Sequence, residues 1–79
     1  MINYTIEQEL AVLSESGGNK KALTVTAWNN RPGKLDLRTW RTVDGEQQPG
    51  RGVTLSEEEA ETLLDALTAY FRGADHEQY

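Results

Sequence analysis

Gly33-Lys34-Leu35-Asp36-Leu37-Arg38-Thr39-Trp40-Arg41, continued by Thr42-Val43-Asp44-Gly45-Glu46 and then by Gly50-Arg51-Gly52, reads as one β-strand, a turn and the start of another strand. Alternate residues of a strand point to opposite faces. Leu35, Leu37, Thr39, Arg41 and Val43 share a mostly apolar face, and Lys34, Asp36, Arg38, Trp40 and Thr42 share the other. A tryptophan among cations, on the face the pattern assigns to solvent, has two readings. It is a rim residue covered by the stem of Arg38, or it is a base-stacking platform with phosphate-pairing cations beside it.

The residues before this stretch repeat its organisation. Residues 20–29 read as a strand with Leu23, Val25 and Ala27 on one face and Ala22, Thr24, Thr26 and Trp28 on the other. Its β-branched content suits a pleated, half-buried surface. Asn29-Asn30-Arg31-Pro32-Gly33 has the chemistry of a hairpin connection. Pairing across it would bring Trp28 and Trp40 to one open face, with Lys20, Lys34 and Arg38 around them. Residues 2–14 form a long first strand, with Ile2, Tyr4, Ile6, Leu10 and Val12 sharing a face and a bend or bulge near Gln8. Ser14 to Asn19 reads as a flexible loop.

After the central strand, Asp44-Gly45 is a hairpin-turn dipeptide. Gln47 to Gly52 is too rich in Pro and Gly for a central strand and fits an edge or bulged entry to Val53-Thr54-Leu55. Ser56-Glu57-Glu58-Glu59 is a capping box, with Leu55 and Ala60 at the staple positions. The helix it opens is expected to run from Glu57 to about Arg72 and to stop at Gly73. Its apolar residues, Ala69 apart, fall within roughly 160° at about 100° per residue. That is wider than one sheet needs, so Leu63, Leu64, Leu67, Tyr70 and Phe71 are candidates for a contact with a second subunit. A single wide face on one sheet is the alternative. Residues 1–72 are thus read as one domain and 73–79 as a frayed tail.

Seventy-nine residues without cysteine make one small domain with no disulfide staple, and oligomerisation is a common way to stabilise one. No run of 18 apolar residues is present, so no membrane association is expected and the location is expected to be cytoplasmic and nucleoid-associated. The net charge of −5 is unevenly placed. Residues 16–54 carry seven cations (Lys20, Lys21, Arg31, Lys34, Arg38, Arg41, Arg51) against three acids, a balance of +4, and the remainder is −9. A basic sheet and an acidic helix follow. The single histidine, His76, stands alone in the tail, and no nucleophile–base pair or Gly-rich phosphate loop opening a helix is visible. The chain is therefore read as a non-enzyme without cofactor, metal or small-molecule substrate.

Three segments together resemble the positive cofactor four (transcriptional coactivator p15) family of single-stranded DNA-binding proteins, in its bacterial YdbC-like branch. They are Lys34-Leu35-Asp36-Leu37-Arg38-Thr39-Trp40, Pro49-Gly50-Arg51-Gly52-Val53-Thr54-Leu55 and Ser56-Glu57-Glu58-Glu59-Ala60, with Ala11 to Ser16 and Ala27 to Pro32 extending the match. The resemblance implies an α+β fold: a curved four-stranded antiparallel sheet followed by one C-terminal helix, paired into a homodimer through the helices. It implies single-stranded DNA, or RNA, lying across the sheets in support of transcription, replication or repair. Carried over, Trp28 and Trp40 are the stackers, and Lys20, Lys21, Arg31, Lys34, Arg38 and Arg51 contact the phosphates. The alternative is a protein-interaction module that uses the Trp-bearing face.

Overall fold

A computed structural model describes residues 3–77, with side chains described through residue 73. Four strands, β1 (Tyr4–Ser16), β2 (Asn19–Trp28), β3 (Lys34–Val43) and β4 (Glu46–Leu55), precede one helix, α1 (Glu57–Glu77). The strands form a single antiparallel sheet in sequence order. The α+β architecture expected from the sequence is the one observed.

The turns follow local chemistry. Asp44 and Gly45 both have positive φ, 53° and 82°, as a two-residue hairpin turn matching strand twist requires. Asn29 and Asn30 do the same at 51° and 66°, closed by Arg31 N–H donating to Trp28 O at 2.9 Å. The expected flexible loop at 14–19 is instead a two-residue turn. Gly17 and Gly18 take φ of 56° and 86°, and pairing extends to Ser16 opposite Asn19. Two glycines at the two positive-φ positions let the ladder close completely.

β1 departs from simple alternation. Its register against β2 shifts three times, between Ile6 and Gln8, Glu9 and Ala11, and Val12 and Ser14. Each shift inserts an unpaired residue, bends the strand and increases its twist. The shared face expected for Leu10 and Val12 is therefore lost: Val12 pairs with Ala22, whereas Leu10 is a bulge residue. Ile2 lies outside the described residues.

β4 pairs along its whole length, from Glu46 opposite Val43 to Leu55 opposite Leu35, with one shift between Arg38 and Trp40. Its two glycines have a steric reason. A Cβ on Gly52 would collide with the Cβ of Arg38, and one on Gly50 would lie 2.9 Å from Thr39 O. The bulges and these glycines let the sheet coil until opposite corners meet. Tyr4, at the start of edge strand β1, donates its hydroxyl to Gln47 O of edge strand β4 at 2.6 Å.

This coiling reverses the expected inside and outside. The residues below 2% exposure are Ala22, Thr24, Thr26, Asp36 and Trp40, all on the Trp-bearing face. The aliphatic face holding Leu23, Val25, Leu35 and Leu37 is only half-buried, and Val53 is 54% exposed. A strongly coiled sheet encloses its inner face by itself, whereas its outer face needs another element to cover it.

α1 begins as expected. Glu59 N–H donates to Ser56 Oγ at 3.0 Å and Ser56 N–H to Glu59 Oε1 at 2.8 Å, so the capping box satisfies two helix-end donors. The helix does not stop at Gly73 but continues to Glu77, which corrects the expected tail from residue 73. Glycine permits a left-handed stop without imposing one, and Ala74 follows it. α1 approaches the sheet near its start, where Leu35 lines a shallow groove with Glu57, Ala60, Glu61 and Leu64. Beyond that, Leu63, Leu64, Leu67, Tyr70 and Phe71 are 38–66% exposed. Among the described residues no helix is long and apolar enough to cross a membrane.

Candidate nucleic-acid interface

Antiparallel register decides which side chains meet. Lys20 lies opposite Trp40, Ala22 opposite Arg38, Thr24 opposite Asp36 and Thr26 opposite Lys34. Tyr4 of β1 lies opposite Trp28. The alternation read from the sequence is correct for β2 and β3, so both tryptophans and Lys20, Lys34 and Arg38 do share the inner face.

Coiling then packs this face into a cluster. The Trp28 and Trp40 rings are nearly parallel, 7° apart, with centroids at 6.2 Å. The Tyr4 ring lies 5.7 Å from Trp28 and 5.3 Å from Trp40, tilted to both. Tilted and offset aromatic pairs at such distances are favourable beyond their buried area. Thr24 and Thr26 share a buried hydroxyl–hydroxyl bond of 2.7 Å.

Asp36 anchors the polar half of the cluster. Its side chain is fully buried and accepts four hydrogen bonds. Arg38 donates Nε to Oδ1 at 2.6 Å and Nη2 to Oδ2 at 2.9 Å; Thr54 Oγ1 donates to Oδ2 at 2.9 Å and Trp28 Nε1 to Oδ2 at 3.3 Å. The remaining guanidinium nitrogen, Arg38 Nη1, donates to Gly50 O at 3.0 Å. The guanidinium also lies 4.7 Å from the Trp28 ring centroid, a cation–π distance. Gly52 leaves the room that the Arg38 stem occupies, and the Gly50 carbonyl receives its outer nitrogen. The Pro49-Gly50-Arg51-Gly52 segment is thus the seat of this ion pair.

Two expectations about the site are corrected by this burial. Trp40 is not on an open face: it is 1% exposed, beneath Tyr4 and beside Trp28. Arg38 is not a free cation, because its side chain is 15% exposed and committed to Asp36. Both follow from coiling, which turns the face that local alternation assigns to solvent into an interior.

The other expected residues divide into groups. Trp28 is half-buried at the mouth of the cluster, where it lines a recess of about 280 Å³ with Arg31, Pro32, Lys34 and Thr54. Arg31 and Lys34 are exposed there. Lys20 is ion-paired with Glu9 at 2.7 Å. Lys21, opposite Thr39, belongs to the outer face and lines a second groove with Arg51 and Leu37. The structure therefore brings Trp28, Arg31 and Lys34 together and sets Lys21 and Arg51 apart from them. Tyr4 and Thr54 were missed by sequence reasoning. Tyr4 was assigned to the aliphatic side of β1, and the cross-strand pair with Trp28 that corrects this depends on a register obscured by three bulges.

The family model for Transcriptional Coactivator p15 (PC4) matches residues 15–66, which hold β2, β3, β4 and the first half of α1. A protein of Treponema pallidum (strain Nichols), itself uncharacterized, is 35% identical over 68 residues, covering 85% of this chain and 78% of its own length.

Proposed function

The chain belongs to the transcriptional coactivator p15 (PC4) family, and on that premise we propose that it binds single-stranded DNA as a homodimer, with little sequence preference. Membership supports a nucleic-acid-binding, coactivator-like role. The observation that carries the finer reading is the mouth of the aromatic cluster. There a half-buried tryptophan lines one recess with two exposed cations, Arg31 and Lys34. A base stacks on an indole whatever its identity, and a cation beside it holds a phosphate without reading sequence. Lys21 and Arg51 extend the basic surface around the sheet.

The test is a titration of fluorescent oligo-dT with duplex DNA and RNA competitors. Affinity is expected to fall with salt at about −0.7 logarithmic units per phosphate contact. Arg31→Ala and Lys34→Ala should each flatten that slope by up to about 0.7. Trp28→Ala should cost about 1–3 kcal/mol of binding and leave the slope unchanged, since no charge is removed. A flat salt dependence would reject the phosphate-pairing surface and favour a polypeptide ligand on the same face.

Dimerisation rests on the uncovered apolar surface. The exposed helix residues from Leu63 to Phe71 and the half-buried outer sheet face are more apolar area than a small monomer usually shows. Sedimentation equilibrium at micromolar concentration should give about twice the 8.9 kDa of one chain. Leu67→Glu should shift the mass toward that of one chain, because Leu67 is 47% exposed in the single subunit. A wild-type monomer at that concentration would reject the pairing.

A further inference from the structure

Trp40 holds a polar atom that its surroundings do not satisfy. Its indole Nε1 is buried and has no hydrogen-bond partner, whereas Trp28 Nε1 donates to Asp36. A buried donor left unpaired is costly and calls for an explanation. What covers Trp40 on the β1 side is the ring of Tyr4. No ladder joins β1 to β4, so the Tyr4 hydroxyl bond to Gln47 O is a clasp between two strands that are not neighbours in the sheet. An open polar recess of about 380 Å³, lined by Asn3, Tyr4, Thr5, Glu7, Ala27 and Asn30, lies beside the Tyr4 ring. A rotation of one half-buried side chain at an edge strand would therefore uncover Trp40 without breaking the ladder.

We propose that Tyr4 stands in for a nucleobase. In the free protein its ring completes the aromatic cluster, and in the complex a base of the bound strand replaces it on Trp40. The base offers a flat ring of comparable size and, unlike Tyr4, a ring nitrogen or carbonyl oxygen that can accept from Trp40 Nε1. Every base carries such an acceptor, so the exchange keeps the low sequence preference. This rests on the nucleic-acid reading above and adds a second stacking position, closed in the free protein, to the open one at Trp28. A closed resting state lowers apparent affinity by the fraction of molecules that are open. Weakening the clasp should then tighten binding, the reverse of what removing a contact residue does.

The experiment compares oligo-dT binding by the wild type and by Tyr4→Phe, which keeps the ring and removes only the bond to Gln47. One neutral hydrogen bond lost from the closed state should tighten binding roughly two- to tenfold. Unchanged or weaker binding by Tyr4→Phe overturns the proposal, since Tyr4 is then a structural or direct-contact residue. A second measurement uses Trp28→Phe, in which Trp40 is the sole tryptophan. Saturating oligo-dT should quench its emission, and unchanged emission overturns the proposal even if Tyr4→Phe binds more tightly. Near-UV circular dichroism confirms that both variants keep the aromatic cluster. If the wild type binds no oligonucleotide, the nucleic-acid reading itself falls. Binding with unquenched Trp40 removes only the base exchange.

Discussion

Asp36→Ala is expected to cost about 3–5 kcal/mol of folding stability, because it breaks a buried ion pair by removing one partner. The carboxylate is fully buried and is the shared acceptor for Arg38, Trp28 and Thr54. Without it the Arg38 guanidinium stays in place with 15% side-chain exposure and no counter-charge. A chain of this length is held by on the order of 4–12 kcal/mol, so the variant should be largely unfolded at room temperature or close to it. Denaturant unfolding at fixed chain concentration, followed by near-UV circular dichroism, measures the loss. The double variant Asp36→Ala/Arg38→Ala should be more stable than the sum of the two single losses, since it leaves no unpaired charge. A loss under about 1 kcal/mol for Asp36→Ala would mean that water replaces the carboxylate and that the network is not structural.

Trp40→Ala should be equally damaging, at about 3–5 kcal/mol. The ring is 1% exposed and contacts both other aromatics of the cluster, so its loss leaves a cavity bounded by Tyr4 and Trp28. Trp40→Phe separates ring packing from the indole nitrogen. It keeps an aromatic surface in the cluster and deletes a donor that has no partner. It should therefore lose less than half of what the alanine variant loses in the same unfolding experiment. Equal losses would show that the cluster depends on the full indole shape rather than on aromatic packing. Trp28→Ala is expected to be milder than Trp40→Ala, since Trp28 is half-buried at the mouth.

The contrast between the two tryptophans marks the limit of local pattern. Trp28 and Trp40 have the same parity relative to their aliphatic neighbours, and alternation alone treats them alike. The structure separates them by position along a coiled sheet: one reaches the rim and the other lies under Tyr4. Arg38 and Lys34 differ in the same way. Both are inner-face cations two residues apart from Asp36, one before it and one after. Only Arg38 faces Gly52, whose missing side chain lets the arginine fold back onto Asp36.

The sequence by itself determined what depends on near neighbours along the chain. The strands of the central hairpin, the Asp44-Gly45 turn, the Ser56–Glu59 capping box and the sharing of one face by both tryptophans follow from parity, turn chemistry and end capping. So did the family resemblance, which rests on the order and spacing of short segments. Only the tertiary structure decided which face is inside. That choice depends on the summed curvature of three β1 bulges, the shift beside Trp40 and the close approaches at Gly50 and Gly52. None of these contributions is large alone, and alternation carries no signal for their sum. Their combined effect brings Tyr4 to Gln47 across the sheet, encloses Trp40 and Asp36, and leaves Trp28, Arg31 and Lys34 at the opening. It also leaves the aliphatic face, the core expected from the pattern, half-covered, because a sheet that closes over one face cannot bury the other without a second layer.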